Sequence, residues 1–163
     1  MRGCERMCLT IIMRSCVWSP INCESHYAIN FTSHSLLVDV LMPSLRSGGR
    51  VIATSSVAYK WASCSEEALI YATSKPSETH YGTGLRAYAE SKLALIIWAR
   101  HCAAKYETVN FMTVHPGVCN TNLFSHSVWP SIINACAAVG LIKSPAQGAD
   151  AILHVTQADI IKR

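Results

Sequence analysis

The chain has 163 residues, half of them apolar and 15% charged, with a formal net charge of +4 at pH 7. That length can bury a core without covalent staples, and the composition is that of a globular chain, not a disordered one. Arg and Lys are scattered, with no basic run and no basic stripe interleaved with aromatics, which argues against nucleic acid as a partner.

Four of the eight cysteines, Cys4, Cys8, Cys16 and Cys23, crowd the first 23 residues, and the others lie far apart without any Cys-x-x-Cys. This is not the spacing of a zinc knuckle or a thioredoxin-type motif, and it favours reduced thiols in an intracellular, cytoplasmic protein. The short apolar patch before Arg14 cannot span a bilayer and makes a poor signal peptide, leaving membrane association open. Residues 1–26 form an atypical segment, a candidate for disorder, that fits neither a strand–glycine-loop–helix unit nor a linker.

From Tyr27 the pattern is orderly, and residues 27–163 read as one domain. Ile29, Leu36, Leu37, Val40 and Leu41 have the spacing of a helix with one buried face, over 29–46, ended by Gly48 and Gly49. "RVIATSS" (50–56) reads as a buried parallel strand, and residues 57–82 as a long polar loop. A strong helix covers 84–105. "TVNFMTVHPG" (108–117) is a strand running into a Pro-Gly break, a looser helical region covers about 127–142, and Ser144-Pro145 opens a last helix. Alternating helices and strands mean an α/β fold with a parallel sheet.

Three places carry chemistry. Tyr88 and Lys92 lie four positions apart on one face of a helix, where an ammonium favours the phenolate and fits a phenol for acid/base work near neutral pH. Such a pair alone is more often a half-buried tyrosine beside an exposed lysine. Ser55 and Ser56 end the first strand, and Pro116, Gly117 and Thr121 follow the second; ligands of open α/β sheets bind at such carboxyl ends. The seven histidines show no metal-ligand spacing, so no metal site is expected. Trp98 and Cys102, one turn apart, read as packing.

The asparagine opening a helix (Asn30), the strand ending in Ser55-Ser56, Tyr88-x-x-x-Lys92 and the Pro116-Gly117-x-x-x-Thr121 loop, in this order, resemble the short-chain dehydrogenase/reductase family. "GRVIATSS", "AYAESKLA" and "VHPG" look most like the branch of retinol dehydrogenases and the WW-domain-containing oxidoreductase. The resemblance covers about residues 24–158 and implies the C-terminal part of a Rossmann-like, doubly wound parallel sheet, N-terminally truncated and lacking the first βαβ units. It also implies hydride transfer between NAD or NADP and a lipophilic alcohol or carbonyl. Tyr88 would be the acid/base and Ser56 the holder of the substrate oxygen. Lys92 would tune the phenol and contact the cofactor, and Asn30 would order a water relay. Pro116, Gly117 and Thr121 would lie along the nicotinamide, and Phe124, Val128 and Trp129 would line an apolar substrate pocket.

The family's glycine-rich phosphate turn is missing, since the only glycine before Asn30 is Gly3. That leaves a second expectation, a non-catalytic partner forming a homo- or heterodimer through helices 29–46 and 84–105.

Overall fold

Glu24 opens the first helical run of the computed structural model, which describes residues 23–65, 84–119 and 142–157. Its carboxylate accepts the Tyr27 amide at 3.0 Å, satisfying a donor that a helix start leaves unpaired. A single turn, α1 (Ser25–Tyr27), continues into a π-helical turn (Ala28–Thr32) and then α2 (Ser33–Leu41). In the wide turn the Ser33 amide reaches back to the Ala28 carbonyl, and the Ser33 hydroxyl bonds the Ile29 carbonyl at 2.6 Å. Pro43, which has no N–H to give, stands in the 3-10 turn Met42–Ser44 that closes the run. The run thus begins ahead of residue 29, and Cys23 to Tyr27 are buried.

The inward face of α2 is not the one expected. Leu36, Leu37, Val40 and Leu41 are exposed, Val40 to 76%, while Val38 and Met42 turn toward the core. Periodicity identified a helix; it did not identify which side would find a neighbour. Gly48 sits beyond the helix in the turn before the first strand, with φ at +81°, a conformation glycine adopts without strain.

Strand β1 (Arg50–Thr54) pairs in parallel with β2 (Asn110–Val114), Arg50 opposite Asn110 and Thr54 opposite Val114. β1 is only half-buried, not fully buried as expected. Parallel strands need a crossover, supplied by α3 (Gly84–Lys105). Between β1 and α3 the polar stretch begins with a 3-10 turn, Val57–Trp61. The last helix, α4 (Pro145–Gln157), lies against both strands. Its start is a reciprocal cap: the Ser144 hydroxyl accepts the Gln147 amide at 3.2 Å, and the Gln147 side chain accepts the Ser144 amide at 2.8 Å. Arg50 reaches its other end, donating to the Val155 and Thr156 carbonyls.

The core forms where α3 crosses the sheet. Ala99, Cys102, Val109 and Phe111 are buried together, with Val38, Met42 and Val51 packed around them. Trp98 meets Phe111 edge-on and Tyr106 stacks on it, both at 5.8 Å between ring centroids. Burying a phenylalanine contributes about 1.5–3 kcal/mol, which makes this aromatic group the main apolar anchor of β2. Trp98 and Cys102 are therefore packing residues. A smaller cluster of Cys23, Tyr27, Phe31 and Ala94 fixes the first helical run to α3. Among the described residues, no helix is long and apolar enough to cross a membrane.

Candidate functional site

Tyr88 and Lys92 follow from helix geometry: positions four apart rise one above the other on α3. The Lys92 Nζ stands 5.5 Å from the centroid of the Tyr88 ring and donates to the Thr54 carbonyl at 3.0 Å. Thr54 is the last residue of β1, so the lysine ties the helix to the carboxyl end of the strand.

The two serines beyond β1 differ in role. Ser55 is buried; its amide continues the ladder to the Val114 carbonyl, and its hydroxyl donates to the Lys92 carbonyl at 2.9 Å. Ser56 is half-buried and caps the 3-10 turn, its Oγ accepting the Ala58 amide at 3.3 Å. One hydroxyl is thus turned into the helix, and the other stands at the strand end with a lone pair engaged.

Asn30 lies in the π turn, and its side-chain amide donates to Ser91 Oγ at 3.0 Å. Ser91, fully buried, donates in turn to the Tyr88 carbonyl at 2.7 Å. The asparagine thereby reaches the helical turn between Tyr88 and Lys92. π turns inside α-helices recur at functional sites, because the extra residue re-aims the side chains around it. Sequence reading singled out Asn30 but passed over Ser91, although its place beside Lys92 inside the motif was the available signal.

Beyond β2, Gly117 has φ at +92°, and a Cβ there would press on the side chain of Lys143. Pro116 precedes it, and Cys119 bridges to Lys143. Because the strands are parallel and Thr54 faces Val114, the Pro116–Gly117 turn leaves the sheet on the edge from which Ser55 and Ser56 emerge. Thr121, Phe124, Val128 and Trp129 lie outside the described residues, as does the helical region expected at about 127–142.

A feature missed in the sequence adjoins Tyr88. His26 is 2% exposed and Glu24 1%, and His26 Nδ1 lies 2.8 Å from Glu24 Oε1. The imidazole meets the Tyr88 ring edge-on, with centroids 6.0 Å apart. A lone histidine near a helix start carries no signal of this kind; only the packing of α1 on α3 creates it.

The opposite side of α3 carries a cavity of about 570 Å3, walled by Tyr27, Phe31, Leu93, Ile97 and Trp98, with Glu90 at its edge. The Ser63 amide and hydroxyl hold the Glu90 carboxylate at 2.7 and 2.9 Å. Burial pushes the Tyr27 phenol up, with the charges of Cys23 and Glu90 adding to it, so this tyrosine is no acid near neutral pH. Among the described residues no group of His, Cys, Asp and Glu could hold a metal ion.

No family model matches the chain. Human polyprenol dehydrogenase is 32% identical over 138 residues, covering 77% of this chain and 39% of that protein. Human retinol dehydrogenase 14 is 28% identical, over 83% of this chain and 40% of its own length. The short-chain dehydrogenase TIC 32 A, chloroplastic, of Brassica napus is 27% identical, over 81% of this chain and 43% of its own. The chain thus spans about two fifths of the length of the curated relatives it matches. Among solved structures, an uncharacterised protein from Mycobacterium paratuberculosis superposes with a TM-score of 0.55 and 19% identity, over 96% of this chain and 55% of that one. That likeness concerns the fold alone: part of a Rossmann-like α/β sheet.

Proposed function

Because the chain is related to the short-chain dehydrogenase/reductase family, we propose that its Tyr88 site interconverts a lipophilic alcohol and its carbonyl, with NAD or NADP as the second reactant. The observation that carries this reading is the Lys92 ammonium held 5.5 Å from the Tyr88 ring at the carboxyl end of β1. A cation there favours the phenolate, so the phenol exchanges a proton with substrate oxygen more readily than an isolated tyrosine.

The residues present fit the nicotinamide end of such a cofactor. An amine and a phenol stand at the strand edge, with the Pro116–Gly117 turn leaving the same edge. Lys92, Pro116 and Gly117 would hold that end, to which the family resemblance also assigns Thr121, outside the described residues. The glycine-rich turn for the phosphates has no counterpart before Asn30 in this sequence. When bound, the cofactor supplies or accepts the hydride. Ser56 holds the substrate oxygen, Tyr88 gives or takes its proton, and Asn30, through Ser91, fixes the helical turn that carries the phenol. The family resemblance assigns Phe124, Val128 and Trp129, which lie outside the described residues, to an apolar substrate wall, and the substrate class follows the names of the relatives, a polyprenol and a retinol dehydrogenase.

The test is cofactor-dependent turnover of retinoid, polyprenol, steroid and aliphatic aldehyde substrates by wild type and Tyr88→Phe. The variant should lose on the order of 10²–10⁴-fold in turnover, the usual worth of a general acid/base. Equal rates in the two proteins would remove Tyr88 from the reaction.

A second reading, a non-catalytic partner that pairs through α2 and α3, is favoured by one observation. Leu36, Leu37, Val40 and Leu41 form an exposed apolar face on α2. A monomer in sedimentation, unchanged at high concentration, would end it.

A further inference from the structure

The buried pair behind Tyr88 has a loose end. Glu24 Oε2 accepts the Tyr27 amide and Oε1 faces His26 Nδ1, so both carboxylate oxygens act as acceptors. A carboxylate cannot donate; His26 must therefore carry its proton on Nδ1. In the neutral ring Nε2 is then a lone pair. It is buried and, among the described residues, has no hydrogen-bond partner. Buried polar atoms are rarely left unpaired, and an orphan at a protein's site of chemistry points to a group that arrives there. Among the described residues, the Tyr88 ring stands edge-on to the imidazole, with centroids 6.0 Å apart.

We infer that Glu24 and His26 form a proton-accepting pair serving Tyr88 through one bridging water. His26 is a positioning residue and a proton store; it does not touch the substrate. The inference rests on Tyr88 being the acid/base of the reaction proposed above. In the step itself the Tyr88 O–H bond breaks toward the water, a water O–H bond breaks toward His26, and an N–H bond forms at Nε2. No electrons are transferred. The products are a Tyr88 phenolate near the Lys92 ammonium and an imidazolium beside the Glu24 carboxylate, so each new charge is created next to a counter-ion, which offsets the cost of making it inside the protein. Return of the proton reverses each bond change. Among the described residues of α3, the Lys92 ammonium stands 5.5 Å from the Tyr88 ring centroid, and Glu90 is held by Ser63 with Arg86 4.0 Å away.

The experiment is nitrogen NMR of the histidine rings in the purified chain without cofactor, at a pH above the ordinary imidazole range, about 8. Loss of one resonance pair in His26→Gln assigns the signal. Wild type should show Nδ1 protonated and Nε2 bare but hydrogen-bonded. In Tyr88→Phe, which keeps the ring and removes only its oxygen, the Nε2 resonance should shift toward its non-hydrogen-bonded limit. The other six histidines should stay in place, reporting an intact fold. Glu24→Gln should abolish the tautomer preference. An Nε2-protonated ring in wild type overturns the inference whatever the variants do, as does an Nε2 resonance indifferent to loss of the Tyr88 oxygen. The two readings also fail separately. An Nε2 shift in a chain without turnover keeps the pair and removes the dehydrogenase, whereas Tyr88-dependent turnover with an unresponsive Nε2 removes only the pair.

Discussion

Asn30 and Ser91, sixty-one residues apart in sequence, meet at 3.0 Å and hold the π turn of the first helical run against the helix that bears Tyr88. Ser91 passes the link on to the Tyr88 carbonyl, so one hydroxyl serves two elements. Replacing Ser91 by alanine takes the acceptor from the half-buried Asn30 amide without opening a large cavity. An unmatched donor of this kind costs about 1–3 kcal/mol. Urea unfolding of Ser91→Ala should show a lower midpoint at unchanged slope; a midpoint equal to wild type would mean that the link does not hold the helices.

Lys92 offers a direct test of the electrostatics. Lys92→Met keeps the length of the side chain and removes the ammonium from the Tyr88 ring and from the Thr54 carbonyl. The phenol of Tyr88 should then ionise at higher pH, since the cation that favours phenolate is gone. Ultraviolet difference titration, with Tyr88→Phe to identify the signal, reads the change. An unmoved titration would leave the lysine a structural tie only.

Gly148 marks where α4 approaches the turn after β2. A Cβ there would overlap Cys119 Sγ, so Gly148→Ala should destabilise by about 1–3 kcal/mol even though alanine is the better helix former. Removing the sulfur as well, in Gly148→Ala with Cys119→Ala, should recover most of the loss. Thermal melts of the single and double variants decide; a single variant as stable as wild type would show that α4 shifts freely away from the turn.

The thiols should separate by environment. Cys64 is exposed, whereas burial pushes the Cys23 and Cys102 thiols up, Glu24 adding to the first against a hydrogen bond from Thr32, and Asp39 to the second. Iodoacetamide followed by peptide mapping should modify Cys64 well before either buried thiol. The same shifts give a sign for alkaline stability. Raised folded-state values mean that the folded chain holds these protons longer, so their contribution is complete below the ordinary thiol value of 9.0 and is lost as pH rises above it. Unfolding midpoints should fall above about pH 9, less so in Cys102→Ala. A midpoint rising across that range would contradict the assigned direction.

Much of this chain is legible in its sequence. Helix 84–105, the strand before Ser55, the strand before Pro116 and the cap at Ser144 follow from local rules: periodicity of apolar residues, β-branched runs, and the turn chemistry of Pro, Gly and Ser. Tyr88 with Lys92 needed only the pitch of a helix. What local rules do not contain is the identity of the neighbour. They assigned Leu36, Leu37, Val40 and Leu41 to a buried face because such a stripe must usually be covered, yet the packing of α2 turns Val38 and Met42 inward instead. The π turn at Asn30, the use of Ser55 to hold the Lys92 carbonyl, and the enclosure of Glu24 and His26 beside Tyr88 belong to the tertiary structure alone. Each depends on groups distant in sequence being brought within a few ångströms, where burial turns an unpaired atom or a shared hydrogen bond into a cost or gain that the local sequence does not register.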